Sequence, residues 1–506
     1  MVRLRPSGRQ VRRALALTLF GFVGLVVFGA SAAPAAPAIP GFPDCKDAPV
    51  AAWPGTGIPG ALDPAPASPP GRGDPFATPP TSSVYEQYGY AGLTWHTYDL
   101  GCGGAMRDVE ATLDTSVGNF FLNLGVWGTA ATNGLHNRVA HPQDYMGPLD
   151  SVVDVVTARL HDAVWTPWGG AALLGVAAIL LVYALRGSLS SVTSAAVWAV
   201  LVLTVLAAVS QYPSRAARFF DDAVTSSISS INTGAAGLSA GTGTRDPART
   251  QGAMLVDSVL YDAWLRGTFG DSHSVAAKRW GPTLFKASTL SWREAAQSAD
   301  PEQALAIADA KTQQWRDTAA LIAEQDPATY AVLQGKAGGR FGTGLLAMLG
   351  AMFTGLFRLV ADAFLFAGLV MLRLVIMFFP AVAVIGVMSP LASIVRRVAN
   401  LSAASVVNVV AFAAGSAIHT AAVSAILSYA RGAGMQILAL ILSLAITVCA
   451  SVLLAPLLSF RKVLGDSRHR RHRLLGAISR YGFGYGIAHH AVEHGTDEAL
   501  PRRLAR

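Results

Sequence analysis

The feature that most constrains this chain is a polar block of 130 residues, 211–340, that lies between two strongly apolar regions. The block contains 13 Lys/Arg and 13 Asp/Glu, so its formal net charge is zero. Two apolar runs, Gly169–Leu185 and Ser190–Val209, precede it, and a long apolar region over 341–458 follows it. Because balanced charge is not typical of a disordered tail, we expect a folded domain inserted between membrane segments.

The composition indicates a membrane protein. Hydrophobic residues make up 52% of the chain and charged residues 14%, whereas soluble domains carry roughly 25% charged residues. Several runs reach the roughly 20 apolar residues that cross a bilayer. We therefore predict an all-α polytopic membrane protein with about five transmembrane helices, a pair over 169–210 and a bundle over 341–458.

The formal net charge of +8 comes largely from two arginine-rich clusters. One precedes the first apolar run of the chain, and the other begins at Arg461, after the last. Positive charges beside membrane segments are retained on the cytoplasmic side. This favours a topological role, with contact to nucleic acid or to anionic lipid as the alternative. Residues 459–506 are accordingly predicted to form a basic cytoplasmic tail.

The first 168 residues divide into three predicted regions. Residues 1–33 have the pattern of a signal peptide, with an uncleaved signal anchor as the alternative. Residues 34–82 are rich in proline and predict a semi-extended extracytoplasmic linker. Residues 83–168 predict an extracytoplasmic or interfacial helical region, with an amphipathic helix over 149–164 that Pro167 ends. Cys45 and Cys102 form the candidate disulfide, since both lie in this external part.

Local capping signals predict helices inside the polar block. Asp300-Pro301-Glu302 has an N-cap residue, a first-turn proline and an acidic first turn, and opens a helix to about Glu324. Asp326-Pro327 repeats this arrangement, and Gly335 can end the second helix. The apolar run that follows the block, Phe341–Phe379, predicts either one long helix or a hairpin that turns near Arg358.

The order of apolar and basic segments predicts the topology. If the processed N-terminus is external and each clear run crosses once, residues 211–340 are extracytoplasmic and the C-terminus is cytoplasmic. Arg396 and Arg397 then fall on the cytoplasmic side. Whether Val117–Ala131 also spans the membrane stays open, because its glycine and amide residues equally suit a helix-contacting segment.

We assign no catalytic, cofactor-binding or metal-binding residue from the sequence. His490, Glu493 and His494 match the H-x-x-E-H zinc-hydrolase pattern, but a solvated tail is the favoured interpretation. The glycines at 342, 344, 350 and 355 lie inside an apolar run, so they predict close helix packing rather than a phosphate loop. The chain contains no Walker motif, so we expect that it is not itself the motor of an active process.

Polar residues inside the predicted membrane segments form a candidate intramembrane path: Arg358, Asp362, Arg373, Asn408 and His419. Charges at the centre of a bilayer cost about 2.5–3.5 kcal/mol on insertion scales and usually mark function. Arg358 and Asp362 are one helical turn apart and can neutralise each other. A polar lining for translocation and a purely structural role for these residues are both open.

Four stretches resemble actinobacterial members of the TrbL-like family, the polytopic membrane subunits of type IV secretion and conjugation machines. They are YGYAGLTWHTYDLGCG at 88–103, LHDAVWTPW at 160–168, YDAWLRGTFG at 261–270 and WGPTLFKASTLSW at 280–292. With the shared layout, the resemblance extends over about 88–458. It implies a channel or scaffold subunit that moves DNA or protein across the cytoplasmic membrane. It also implies association with other secretion subunits, including a separate ATPase, and an oligomeric state.

Two other function classes remain open. A small-solute transporter is expected to show inverted repeats with broken helices near the midplane, and the chain has no matching halves. A structural membrane protein of the cell envelope is also compatible with the proline-rich segment and the external regions.

Overall fold

The computed structural model describes residues 46–67, 69–101, 108–236, 247–433 and 436–454. These residues are almost entirely helical, and the β-pairing within them is an isolated parallel bridge between Ala52 and Thr289. The α-helices are α1 Gly57–Leu62, α2 Val84–Tyr88, α3 Val109–Ala140, α4 Pro142–Leu160, α5 Thr166–Leu185, α6 Leu189–Gln211, α7 Pro213–Ala236, α8 Pro247–Leu255, α9 Asp262–Phe269, α10 Val275–Ser288, α11 Trp292–Gln297, α12 Pro301–Gln325, α13 Pro327–Gln334, α14 Arg340–Gly386, α15 Ala392–Ala433 and α16 Gln436–Leu454.

Five helical segments of the described chain are long and apolar enough to cross a membrane: Pro142–Leu185, Leu189–Gln211, Arg340–Gly386, Ser389–Leu427 and Ile437–Leu454. The predictions of an all-helical chain and of five apolar helices are confirmed at this level. The run after the polar block is one continuous helix of 47 residues rather than a hairpin. At 1.5 Å per residue, α14 is about 70 Å long. Val117–Ala131 lies within α3, which is not among the five segments.

The expectation that Pro167 ends the amphipathic helix is wrong. Helical backbone continues from α4 through a π-helical segment, His161–Trp165, into α5. The wider π turn changes the hydrogen-bond register just before Pro167. The proline then falls in the first turn of α5, where a missing N–H is tolerated.

The capping predictions inside the polar block are confirmed. The Asp300 carboxylate accepts a 3.0 Å bond from the Glu302 amide, and α12 begins at Pro301 and ends at Gln325. Asp326 accepts a 3.0 Å bond from the Thr329 amide and caps α13, which Gly335 ends in the left-handed conformation. These short-range signals therefore determine where the two helices begin and end.

The polar block does not have a core of its own. Residues 46–101 and 247–335, here called the head, share one hydrophobic core with the first halves of α3 and α14. Tyr85 and Trp95, from the first part of the head, pack in this core beside Trp264 and Phe285 from the second part. Ala347 joins the core from α14. The head is therefore built from two separate parts of the sequence and is continuous with the long helices.

Residues 46–82 pack against the rest of the head rather than extending away as a linker. The Ala52 amide donates to Ser288 O, and the Leu290 amide donates to Ala52 O, both at 2.9 Å. Asp63 and Ser82 are buried. Proline content predicted an extended segment, but the backbone partners of Ala52 lie more than 200 positions later in the chain, and their bonds compensate for ordering it.

Close packing of α3 on α14 depends on small residues. A Cβ atom added to Gly344 would lie 2.2 Å from Gly118 O, and one added to Gly118 would lie 2.7 Å from the Arg340 backbone. Gly350 and Gly355 also face neighbouring side chains, whereas Gly342 faces open space. The prediction of glycine-mediated helix packing is thus confirmed for three of the four glycines.

The membrane-type helices contact α14 at opposite ends. In α16, the Thr447 hydroxyl donates to Phe353 O at 2.9 Å. In the hairpin formed by α5 and α6, Trp198 Nε1 donates to Gly386 O at 2.9 Å. These two acceptors are 33 residues apart on α14, a separation of about 50 Å along the helix. The hydrocarbon core of a bilayer is only about 30 Å thick.

Candidate functional site

The candidate site is a buried charged network where the C-terminal part of α3 packs against the middle of α14. His136 Nδ1 lies 2.9 Å from Asp362 Oδ1, and Arg358 Nη1 donates to Asn133 Oδ1 at 2.7 Å. Arg358 Nε is 3.9 Å from Asp362 Oδ2. All four side chains are at most 2% exposed. The predicted Arg358–Asp362 pair exists, but each partner makes its shortest contact with α3.

The network continues from the bundle into the head. Asn133 Nδ2 donates to the Tyr90 hydroxyl at 3.0 Å, and this hydroxyl donates to Asp63 Oδ2 at 2.8 Å. Tyr85 donates to the same oxygen at 2.6 Å, and Asn137 donates to Asp63 Oδ1 at 3.0 Å. A continuous chain of polar contacts therefore links Asp362 on α14 with Asp63 beside α1.

The two tyrosines of this network act as neutral donors. Burial, with the nearby Asp63 carboxylate as the next cause, raises the pKa of Tyr85 to about 12. Burial likewise raises the pKa of Tyr90 well above its ordinary value. The guanidinium of Arg249 lies 4.8 Å from the centre of the Tyr85 ring and adds a cation–π contact. Both hydroxyls stay protonated near neutral pH, as their bonds to Asp63 require.

A second charged cluster lies further along α14. Arg373 donates to both oxygens of Asp221 on α7, at 3.0 Å and 2.6 Å, and to Asp150 on α4 at 3.4 Å. Arg218 Nε donates to the other Asp150 oxygen at 3.1 Å. Such a bidentate pair fixes geometry as well as charge. This cluster therefore holds α4 and α7 against α14.

His419 belongs to a third site on a different face of α14. Its Nε2 lies 2.9 Å from Thr447 Oγ1, and its ring centre is 4.6 Å from that of Phe357. Asn408 is buried on the same helix, α15, next to the apolar residues Val409 and Phe412. Neither residue forms an ion pair within the described part of the chain.

The five predicted path residues lie in separate polar sites within the described part of the chain. An apolar layer separates the network around Asp362 from the cluster around Arg373. It contains Val139, Met146, Leu365, Leu369 and Phe412. Arg358 and Asp362 lie on one side of the layer and Arg373 on the other. In this conformation the described residues form separate, tightly packed polar sites.

Arg340 is a buried cation that the sequence reasoning did not single out. It is 2% exposed and donates to the backbone oxygens of Gly267, His96, Val332 and Leu333 and to Thr115 Oγ1, at 2.8–3.1 Å. Asp114 accepts from the backbone amides of Arg340 and Phe341, at 2.9 Å and 3.1 Å. Arg340 joins the head to α14. In the sequence, its position after Gly338-Gly339 and directly before the long apolar run was the available signal for a special role.

Other predicted sites fall outside the described residues. Cys45, Cys102 and the His490–His494 motif lie there. Within the described residues, no group of three His, Cys, Asp or Glu side chains could hold a metal ion. The apolar run around Cys449 predicts a small core residue at this position, but its side chain is exposed on α16.

Comparison with known proteins gives no further constraint. No protein-family model matches the chain, and neither the curated proteins nor the solved structures include a match.

Proposed function

We propose that the chain is a non-enzymatic scaffold or channel subunit of a conjugative or type IV secretion-like machine that moves DNA or protein across the cytoplasmic membrane. The head and the N-terminal region lie outside the cytoplasm, and the basic tail lies inside. The resemblance to TrbL-like subunits supports this class of machine, and the distribution of basic residues supports this topology.

One structural observation carries the proposal that the chain is a subunit of a larger assembly. The α5–α6 hairpin and α16 are both strongly apolar, and at most 22% of either apolar segment is buried. Their contacts on α14 are about 50 Å apart along the helix, so a hydrocarbon core of about 30 Å cannot cover the full length of both segments in this arrangement. Because apolar surface of this extent is not left in water, other protein subunits cover the part outside the lipid.

The internal sites also fit a scaffold better than a small-solute transporter. A transporter places its substrate site at broken helices near the midplane. Here α14 is continuous, and the polar groups along it are paired in separate clusters. Cavities of about 560 Å³ and 310 Å³ lie instead where the first turns of α3 and α14 meet and at the head, respectively.

Gene disruption with complementation tests the function. We expect disruption to abolish mating transfer and the wild-type gene to restore it. Unchanged transfer with altered envelope integrity would show a structural envelope protein. Unchanged transfer with lost uptake of one solute would show a transporter. Either result would contradict the proposal.

Site-specific photo-crosslinking tests the assembly argument itself. Leu174 on the hairpin and Ile441 on α16 are 74% and 59% exposed, so each can carry a photoreactive side chain. We expect at least one of the two positions to crosslink to protein as well as to lipid in intact membranes. Crosslinking of both positions to lipid alone would contradict the proposal that another subunit covers one apolar surface.

A further inference from the structure

An open cavity of about 310 Å³ lies where residues 52–60, residues 90–94 and one face of α3 meet. Its lining includes the aromatic rings of Trp53, Tyr90 and Trp127 together with Thr94 and Asn123. None of the lining residues is charged. The volume falls at the lower end of the roughly 300–1,000 Å³ range of small-molecule sites. We call this cavity the aromatic cleft.

The wall formed by residues 52–60 is held in a fixed shape. Thr56 Oγ1 donates to Trp53 O at 2.9 Å, and two backbone bonds anchor Ala52 to the end of α10. Gly55 and Gly57 have φ of +74° and +67°, and a Cβ atom at Gly60 would lie 2.0 Å from Gly55 O. Side chains are therefore excluded at the fold of this loop, and the aromatic cleft is preformed.

Tyr90 connects the aromatic cleft with the buried charged network. Its ring contributes to the lining, while its hydroxyl points inward to Asp63 and Asn133, at 2.8 Å and 3.0 Å. The inward bonds fix the ring without using polar groups of the cleft. Trp53, by contrast, is 44% exposed, so its ring is accessible to a ligand in the cleft.

We propose that the aromatic cleft binds a neutral carbohydrate, with a sugar ring stacked on Trp53 or Trp127. The apolar C–H face of a pyranose matches an aromatic ring, and its hydroxyl groups match the Asn123 amide, Thr94 and the exposed backbone of the glycine-rich loop. The uncharged lining disfavours phosphate-bearing or strongly charged ligands, whose desolvation it cannot compensate. The cleft is a binding site independent of the proposed role in transfer. With the head outside the cytoplasm, its ligand is a glycan of the cell envelope.

Binding of a chitin tetrasaccharide to the full-length protein in nanodiscs tests the proposal. We expect saturable binding with a dissociation constant at or below about 1 mM, measured by calorimetry and by quenching of tryptophan fluorescence. Trp53→Ala and Trp127→Ala are each expected to weaken binding at least tenfold. Trp168→Ala, which removes another exposed tryptophan (61%) far from the cleft, should leave affinity unchanged.

Three outcomes would overturn the proposal. They are no binding of the tetrasaccharide at about tenfold the expected dissociation constant, equal binding by all variants, and binding of a proline-rich peptide in place of the sugar at the same tryptophans. Thermal unfolding of each variant separates loss of the site from loss of the fold. If Trp53→Ala unfolds, Asn123→Ala supplies the test, with an expected loss of at least threefold. None of these outcomes depends on a measurement of mating transfer. Sugar binding can therefore be judged even if the proposed function in transfer is wrong.

Discussion

Two buried arginines on the same helix, Arg358 and Arg373, are satisfied in different ways. Arg373 holds both oxygens of Asp221 and one oxygen of Asp150. Arg358 makes its short bond with the neutral amide of Asn133, and its nearest carboxylate atom is 3.9 Å away. The Nε and Nη2 atoms of Arg358 and Oδ2 of Asp362 have no hydrogen-bond partner among the described residues, whereas Arg373 lacks one only at Nε.

The Arg373 cluster acts as a clamp, meaning a set of matched charges that holds helices together. The Arg358 network, by contrast, contains buried polar atoms that make no hydrogen bond among the described residues. The Arg373 cluster joins three helices with matched charges, so its removal should affect stability directly. The Arg358 network leaves buried polar atoms without partners, which is costly in a static core. The partly satisfied network joins the head to the bundle, so we expect substitutions in this network to alter mating transfer. Substitutions in the Arg373 cluster should instead lower the abundance of the protein.

The largest effect is expected for Asp221→Ala. This change leaves Arg373 buried without its bidentate partner, which costs about 3–5 kcal/mol of unfolding free energy. Thermal unfolding in detergent and abundance in membranes measure it. Asp222→Ala, at the exposed neighbouring position, is the matched control and should change stability by less than about 0.5 kcal/mol. Equal effects of the two changes would contradict the clamp.

A somewhat smaller effect is expected from acid at the head. Burial, with the nearby Arg340 as the second cause, lowers the pKa of His96 from 6.5 to about 4. The unfolded chain therefore binds a proton at higher pH than the folded chain does. Stability is complete above pH 6.5 and falls as pH drops towards 4, by up to about 3 kcal/mol.

Unfolding of the wild type and of His96→Gln between pH 7 and pH 4 measures this contribution. The variant should lose less stability over that interval, because it has no imidazole to protonate. His273→Gln, at an exposed position, should follow the wild type. A parallel loss in wild type and His96→Gln would show that acid acts elsewhere in the protein.

Asn133→Leu should cost about 1–3 kcal/mol, because it removes the short bond to Arg358 and the bond to Tyr90 while keeping the volume. Its expected cost is below that of Asp221→Ala. Asn123→Ala, nearly three helical turns earlier on α3, is the control for loss of an amide outside the network. A cost for Asn133→Leu above that for Asp221→Ala would reverse the comparison between the two arginines.

The smallest effect is expected for Arg218→Gln. Arg218 belongs to the Arg373 cluster, but its side chain is 62% exposed. Exposed ion pairs contribute about 0–1 kcal/mol, so unfolding should change within that range. A loss of unfolding free energy above about 2 kcal/mol would mean that the exposed Arg218 also holds the cluster together.

The sequence predicted features that depend on neighbouring residues and missed those that depend on docking. The caps at Asp300 and Asp326 follow from bonds within three residues, so the ends of α12 and α13 were predictable. The partner of Asp362 is His136, 226 residues away, and only the packing of α3 on α14 brings them together. The packing of α7 on α14 likewise decides that Arg373 meets Asp221 rather than the other predicted path residues. Pro167 misled because the π turn before it has no distinct local signal.

Labelling of single cysteines in intact cells tests the central claim most directly, namely that the head faces outward on a membrane-embedded scaffold. Asp309→Cys places a thiol on an exposed position of α12, and Arg186→Cys places one on the turn between α5 and α6. Site-resolved mass spectrometry distinguishes these thiols from the native ones. The account predicts that an impermeant reagent modifies position 309 in intact cells and position 186 only after permeabilisation. Modification of position 309 only after permeabilisation would contradict it.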